Sequence, residues 1–133
     1  MSKIKTYLDT DILFTIINDN FNDSNLDCIS SMQAVTELLV KYNLTNETKN
    51  VFAILGQKIK IRYTDYEVLE KFNQIYDKNP ENASLYLHYS VAILENCEYF
   101  VTESKILNVV GIKTVLRNEL VNKFIENNTL FDF

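Results

Sequence analysis

Asp9 closes an apolar run, Tyr7-Leu8, and is followed at once by Thr10-Asp11 and a second apolar run from Ile12 to Ile17. A carboxylate at such a junction reads as the end of a buried strand and the start of a helix. Open α/β sheets bind ligands outside the carboxyl ends of their strands. A second junction of the same kind ends Tyr99-Phe100-Val101-Thr102 and runs into Glu103-Ser104. If both strands belong to one sheet, their polar ends face one crevice. Carboxylates gathered there are hard oxygen ligands of the type that Mg²⁺ uses.

The elements that must position these groups follow from composition and periodicity. The chain has 133 residues, enough to bury one core, and a single domain spanning 1–133 is expected. With 47% apolar and 23% charged residues it is globular rather than disordered. Only two Gly and one Pro argue against a turn-rich β-sandwich. The formal net charge of −5 is a poor fit to a protein that holds nucleic acid by neutralising phosphates. It suits a basic protein partner better. Cys28 and Cys97 lack metal-ligand spacing and read as small buried hydrophobes. Met1-Ser2-Lys3 leads straight into a strand, and no apolar run reaches the roughly 18 residues needed to span a bilayer. A cytoplasmic protein without a leader or a membrane contact is expected.

The spacing predicts a strand over Ile4–Asp9 and a helix over Ile12–Ile17, then a polar loop from Asn18 to Asp27. A second helix spans Ser31–Tyr42, with Met32, Val35, Leu39 and Tyr42 on one face. A third is capped by Thr45 and ended by Gly56. Lys58–Arg62 alternates as a strand with a basic, solvated outer face of Lys58, Lys60 and Arg62 that would guard a sheet edge. Thr64-Asp65-Tyr66-Glu67 reads as a capping box for a fourth helix, which Asn79-Pro80 breaks. Ala83–Leu94 is apolar all round and so a buried helix, with Asn96 as a left-handed cap. Strands at Glu98–Thr102 and Ile112–Leu116 and an amphipathic helix carrying Leu120, Val121, Phe124 and Ile125 follow. Helices between strands imply a mainly parallel sheet of about four strands flanked by helices in a three-layer α/β fold.

Three stretches in this order resemble the PIN domain, the fold of many small metal-dependent ribonucleases, including VapC-type toxins. Tyr7-Leu8-Asp9-Thr10-Asp11 is similar to the family's opening strand. Thr36-Glu37-Leu38-Leu39 resembles its acidic second helix. Leu85-Tyr86-Leu87-His88 through Thr102-Glu103-Ser104 resembles its late helix and strand. The resemblance implies a PIN-like fold in which Asp9 and Glu37 are catalytic acids holding Mg²⁺ or Mn²⁺ for attack of water on an RNA phosphodiester. Ser104 would orient water or phosphate. Asp11, Thr102 and Glu103 are accessory candidates.

The pattern also departs from the family. Leu85 stands where an Asp is usual, three residues before the His, and Ser104 stands where a second Asp is usual. Glu103 neighbours Ser104, but successive side chains on an extended segment point opposite ways. Glu81 could reach the site only if its helix starts early, and Asn82 could offer a neutral oxygen. Metal affinity is therefore expected to be weak or absent and cleavage impaired. The alternative is a catalytically inactive PIN-like interaction subunit of a toxin–antitoxin or RNA-processing assembly. A homodimer, RNA and a basic antitoxin-like protein are the partners the resemblance implies. Residue by residue there are plainer roles. Asp9 or Asp11 would cap the first helix, Glu37 would pair with Lys41 at i+4, and His88 would be a hydrogen-bonded core residue.

Overall fold

The computed structural model describes residues 3–18, 26–103, 109 and 111–116. In chain order the elements are β1 (Ile4–Leu8), α1 (Thr10–Asn18), β2 (Leu26–Ser31), α2 (Met32–Lys41), α3 (Thr48–Lys58), β3 (Lys60–Arg62), α4 (Tyr66–Ile75), α5 (Ala83–Leu94), β4 (Tyr99–Thr102) and β5 (Lys113–Leu116). Single 3₁₀ turns at Thr45–Glu47 and Pro80–Asn82 lead into α3 and α5. The expected helix around Leu120–Ile125 lies outside the described residues.

The strands form one five-stranded sheet, ordered β3-β2-β1-β4-β5. All four pairings are parallel. One strand more than expected is present, because Leu26–Ser31 is a strand where a polar loop and a helix start were anticipated. Its serines hide it from a hydropathy reading. Ser30 Oγ donates to the Leu8 carbonyl at 2.7 Å, so a buried hydroxyl is satisfied inside the sheet. Ser31 ends the strand and caps α2 by accepting the Ala34 amide at 3.0 Å.

Strand alternation divides the core into two layers. Leu8, Cys28, Val101 and Val115 face one way, into a cluster with Ile12, Leu13, Leu38 and Leu55 of α1 to α3. Tyr7, Ile29 and Phe100 face the other way, onto Val68 of α4 and Tyr89 and Ala92 of α5. Phe100 is sandwiched between Tyr7 and Tyr89, with ring centroids at 4.9 and 4.0 Å and near-parallel planes. Both cysteines are buried and form no disulfide.

Several local boundaries differ from the sequence reading. Gly56 does not end α3; a Cβ there would meet open space, and the helix runs on to Lys58. Asp65, rather than Thr64, caps α4, accepting the Val68 amide at 3.1 Å. The basic face of β3 is not simply solvated. Lys60 and Arg62 each reach a carboxylate oxygen of Glu95 at 2.6 Å, which ties the edge strand to the end of α5. Asn96 does take the left-handed conformation, with φ 59°. Among the described residues no helix is long and apolar enough to cross a membrane.

Candidate functional site

The order of the sheet reverses at β1: β2 and β3 lie to one side, β4 and β5 to the other. A crevice opens outside the carboxyl ends of the strands at such a switch point. Asp9 and Thr102 follow or end the two strands that flank it. The Asp9 amide continues the ladder by donating to the Val101 carbonyl at 3.0 Å. Its carbonyl accepts the first amides of α1, from Ile12 and Leu13. The strand end, the helix start and the acid therefore coincide in one residue.

Asp9 is buried, at 7% exposure. Oδ1 accepts the Thr10 amide at 2.7 Å and Oδ2 accepts the Thr102 hydroxyl at 2.7 Å. Thr102 thus orients the acid and does not reach out to solvent. A cleft of about 350 Å³ opens beside it. Its walls include Asp9, Asp11 and Glu37 with Lys41, and on the other side Glu81, Leu85 and His88.

Glu37 projects from α2 into this cleft and does not pair with Lys41. Lys41 instead reaches Asp11 at 2.6 Å, and the Tyr42 hydroxyl donates to the same oxygen at 2.6 Å. Asp11 is therefore not the helix cap: through Oδ1 it joins α1 to α2. Burial pushes its carboxyl up, but the bonds from Lys41 and Tyr42 outweigh this and hold it below the usual range. Burial and the adjoining Asp11 raise Tyr42 to about 12.

Four donors converge on Glu37. Oε1 accepts from Thr10 Oγ1 at 2.9 Å and from His88 Nε2 at 2.7 Å. Oε2 accepts from Gln33 Nε2 at 3.0 Å and from Ser84 Oγ at 2.8 Å. An ionised carboxylate can only accept, so the hydrogen of this contact lies on Nε2. Burial pushes the Glu37 carboxyl up. The hydrogen bond and attraction of His88, with the bonds from Ser84 and Thr10, outweigh burial and hold the group down at about 2.

His88 is buried at 2% exposure, and its Nε2 also lies 3.8 Å from Asp9 Oδ1. One imidazole therefore stands between both acids. Its other nitrogen, Nδ1, is 2.6 Å from the Tyr7 hydroxyl, which is 2.8 Å from Ser31 Oγ. The single phenolic proton serves one of these neighbours while the oxygen accepts from the other. Burial, together with the charges of Asp9 and Glu37, raises Tyr7 well above its ordinary value, so it stays a neutral phenol. The sequence singled out His88 as a core residue but gave no sign of this central position. Tyr7, Ser31, Gln33 and Ser84 were not anticipated at the site; only their tertiary neighbours reveal them.

The other sequence candidates fall as follows. Leu85 lines the cleft where a third acid was sought. Glu81 does reach the same cleft, because the 3₁₀ turn at Pro80–Asn82 runs directly into α5. Asn82 is buried, and its amide donates to Asp77 at 2.9 Å. Glu103 is exposed, and its charge is felt at Tyr42. Ser104 lies outside the described residues.

As held here, Glu37 does not fit an inner-sphere ligand of Mg²⁺ or Mn²⁺: a carboxylate offers about four lone-pair sites, and the protein's own donors take four at Glu37. Asp9 keeps acceptor capacity on each oxygen, and Asp11 and Glu81 line the same cleft, but Leu85 adds none. Among the described residues no group of three or more His, Cys, Asp and Glu side chains is arranged to hold a metal ion.

No family model matches this sequence, and no curated protein does. The fold is similar to the crystal structure of VapBC2 from Rickettsia felis bound to a DNA fragment from their promoter. The TM-score is 0.62 at 16% identity, covering 85% of this chain and 98% of that one. At that identity the likeness shows the fold alone, a parallel α/β sheet flanked by helices that matches a PIN-like fold.

Proposed function

We propose that this chain is a VapC-like PIN protein that works in a toxin–antitoxin-type pair, and that its ribonuclease chemistry is impaired. One observation carries this reading. Asp9 and Glu37, drawn from two elements far apart in sequence, meet across one imidazole at the switch point of a PIN-like sheet. Asp9, fixed by Thr10 and Thr102, and Glu37, fixed by His88 and Ser84, are the acids of the site. Ser104 remains a proposed polar liner on sequence grounds alone, with Asp11, Thr102 and Glu103 as supporting groups. Binding of Mg²⁺ or Mn²⁺ is weak or absent in this reading. The partner is a small basic antitoxin-like protein, suited to a net charge of −5; the toxin unit is a homodimer, and the ancestral substrate is RNA.

The experiment is to look for a small basic protein encoded beside this chain and to co-express the two, followed by size-exclusion and an RNA cleavage assay of the released chain. A stable complex with slow cleavage that Asp9→Asn abolishes supports the proposal. Absence of any complex would sink the toxin–antitoxin part. A second reading, a catalytically silent interaction subunit, is favoured by Leu85 in the cleft wall and by the filled acceptor sites of Glu37. A stable complex without cleavage selects it.

A further inference from the structure

The carboxylate of Glu37 is engaged from three elements. Thr10 belongs to α1, Gln33 to α2, and Ser84 and His88 to α5. Gln33 also donates to the Ser84 hydroxyl at 2.9 Å and lies within reach of its carbonyl at 3.3 Å. Its amide cannot be turned over, since that would set its oxygen against the Glu37 carboxylate. The oxygen is buried with no partner in the present orientation, a cost that the bonds on the nitrogen side offset. An acid poised for a divalent ion keeps an open lone pair facing the cleft. Glu37 has its lone-pair sites turned toward protein donors.

We propose that Glu37 is a protein-satisfied tie joining α1, α2 and α5, and that the cleft keeps its shape without a divalent cation. The four donors do for this half-buried carboxylate what an ion does in a metal-built site: they hold it in place and let the surrounding helices approach. His88 is a positioning residue in this arrangement. It spans from Glu37 to Tyr7 and so links the tie to the aromatic layer beneath. A cation attracted by the remaining negative charge stays in the outer sphere, with its water shell intact. This inference deepens the functional reading above and rests on the same site.

The sign of a stability change tests it. Clustered acids that await a metal repel one another, and neutralising one commonly stabilises the apo protein at the expense of activity. A satisfied acid behaves in the opposite way, because the isosteric amide sets an NH₂ group against donors. The full chain is melted in EDTA and in millimolar Mn²⁺, as wild type, Glu37→Gln and Ser84→Ala. Expected are equal wild-type midpoints in the two buffers and a fall of roughly 5–10 °C for Glu37→Gln, with a smaller fall for Ser84→Ala. Should Glu37→Gln fail to fold, the direction of the Ser84→Ala shift in EDTA decides the matter. An unchanged or raised midpoint in the variants overturns the inference. So does a Mn²⁺-dependent rise in wild type that Asp9→Asn removes, whereas an equal rise in Asp9→Asn reports surface ions and upholds it. Partner binding and RNA cleavage do not enter these readouts, so loss of the toxin–antitoxin reading leaves them standing.

Discussion

Two glutamates in this molecule, one buried and one half-buried, are held by the protein in different ways. Glu95, at the end of α5, is buried at 7% exposure and is held by two full cations, Lys60 and Arg62. Glu37 is held by a threonine, a glutamine, a serine and an imidazole, with Asp9 close by. Both have their lone pairs served. Only Glu95 has formal charges of the opposite sign in contact with both oxygens. The field of Glu95 closes on itself, and its role is to anchor an edge strand. Glu37 and Asp9 line an open cleft, with the imidazole of His88 between them. Hydrogen-bond satisfaction and compensation by full cations are thus separate properties of a carboxylate.

The largest expected effect on binding comes from giving the cleft what Glu95 does not need. Leu85→Asp, which adds a carboxylate to the cleft wall, should raise Mn²⁺ affinity by on the order of ten-fold, read by calorimetry. If affinity stays flat, the acids of the cleft do not converge on a common ion. Next, Arg62→Met leaves Glu95 with Lys60 alone. Breaking a buried pair from one side is costly, and the remaining lysine softens the loss to about 2–3 kcal/mol, measured by urea denaturation. A loss no larger than that of an exposed pair would erase the contrast between the two glutamates.

Acid titration sharpens the same contrast. Burial pushes the Glu95 carboxyl up from its ordinary 4.5, but the bonds and charges of Lys60 and Arg62 outweigh this and lower it. A depressed folded value gives stability that is fully present above the unfolded value and is lost as pH falls through the folded one. Urea midpoints should therefore decline below about pH 4.5; Glu95→Gln should remove only part of that decline, since Glu37, held down at about 2, loses its share over the same window. Salt should weaken the Lys60 arm, whose side chain is 61% exposed. The smallest effect is expected at Lys41, whose side chain is 56% exposed. Lys41→Met should change stability by less than about 0.5 kcal/mol, and a larger value would mean that the Asp11 contact does more than join two helices.

Much of the fold was legible because local and tertiary signals agree. Tyr7-Leu8-Asp9 reads as a buried strand stopping at a polar group, and it is one. The all-apolar stretch of α5 reads as a buried helix, and it is one. Legibility failed where a polar side chain is satisfied by something distant in sequence. Ser30 and Ser31 conceal β2, because the Leu8 carbonyl and the Tyr7 hydroxyl that complete them lie on another strand. Lys41 sits four residues after Glu37, the spacing of a helical ion pair, yet it pairs across to Asp11. Asp9 followed from its place at a strand-to-helix junction, and Glu37 from the resemblance. Their common neighbour, His88, did not, since periodicity places a histidine on a face without saying what stands opposite.

Ser31 links these observations. Its hydroxyl accepts the Ala34 amide that starts α2 and also touches Tyr7 of β1, so the azimuth of the second helix is indexed to the first strand. Glu37 rides on that helix, and its bearing on the cleft is set by an oxygen two turns of chain away. Whatever loosens this pivot, even a lost methyl's breadth of packing under Tyr7, would swing the carboxylate off its four partners together and not one at a time.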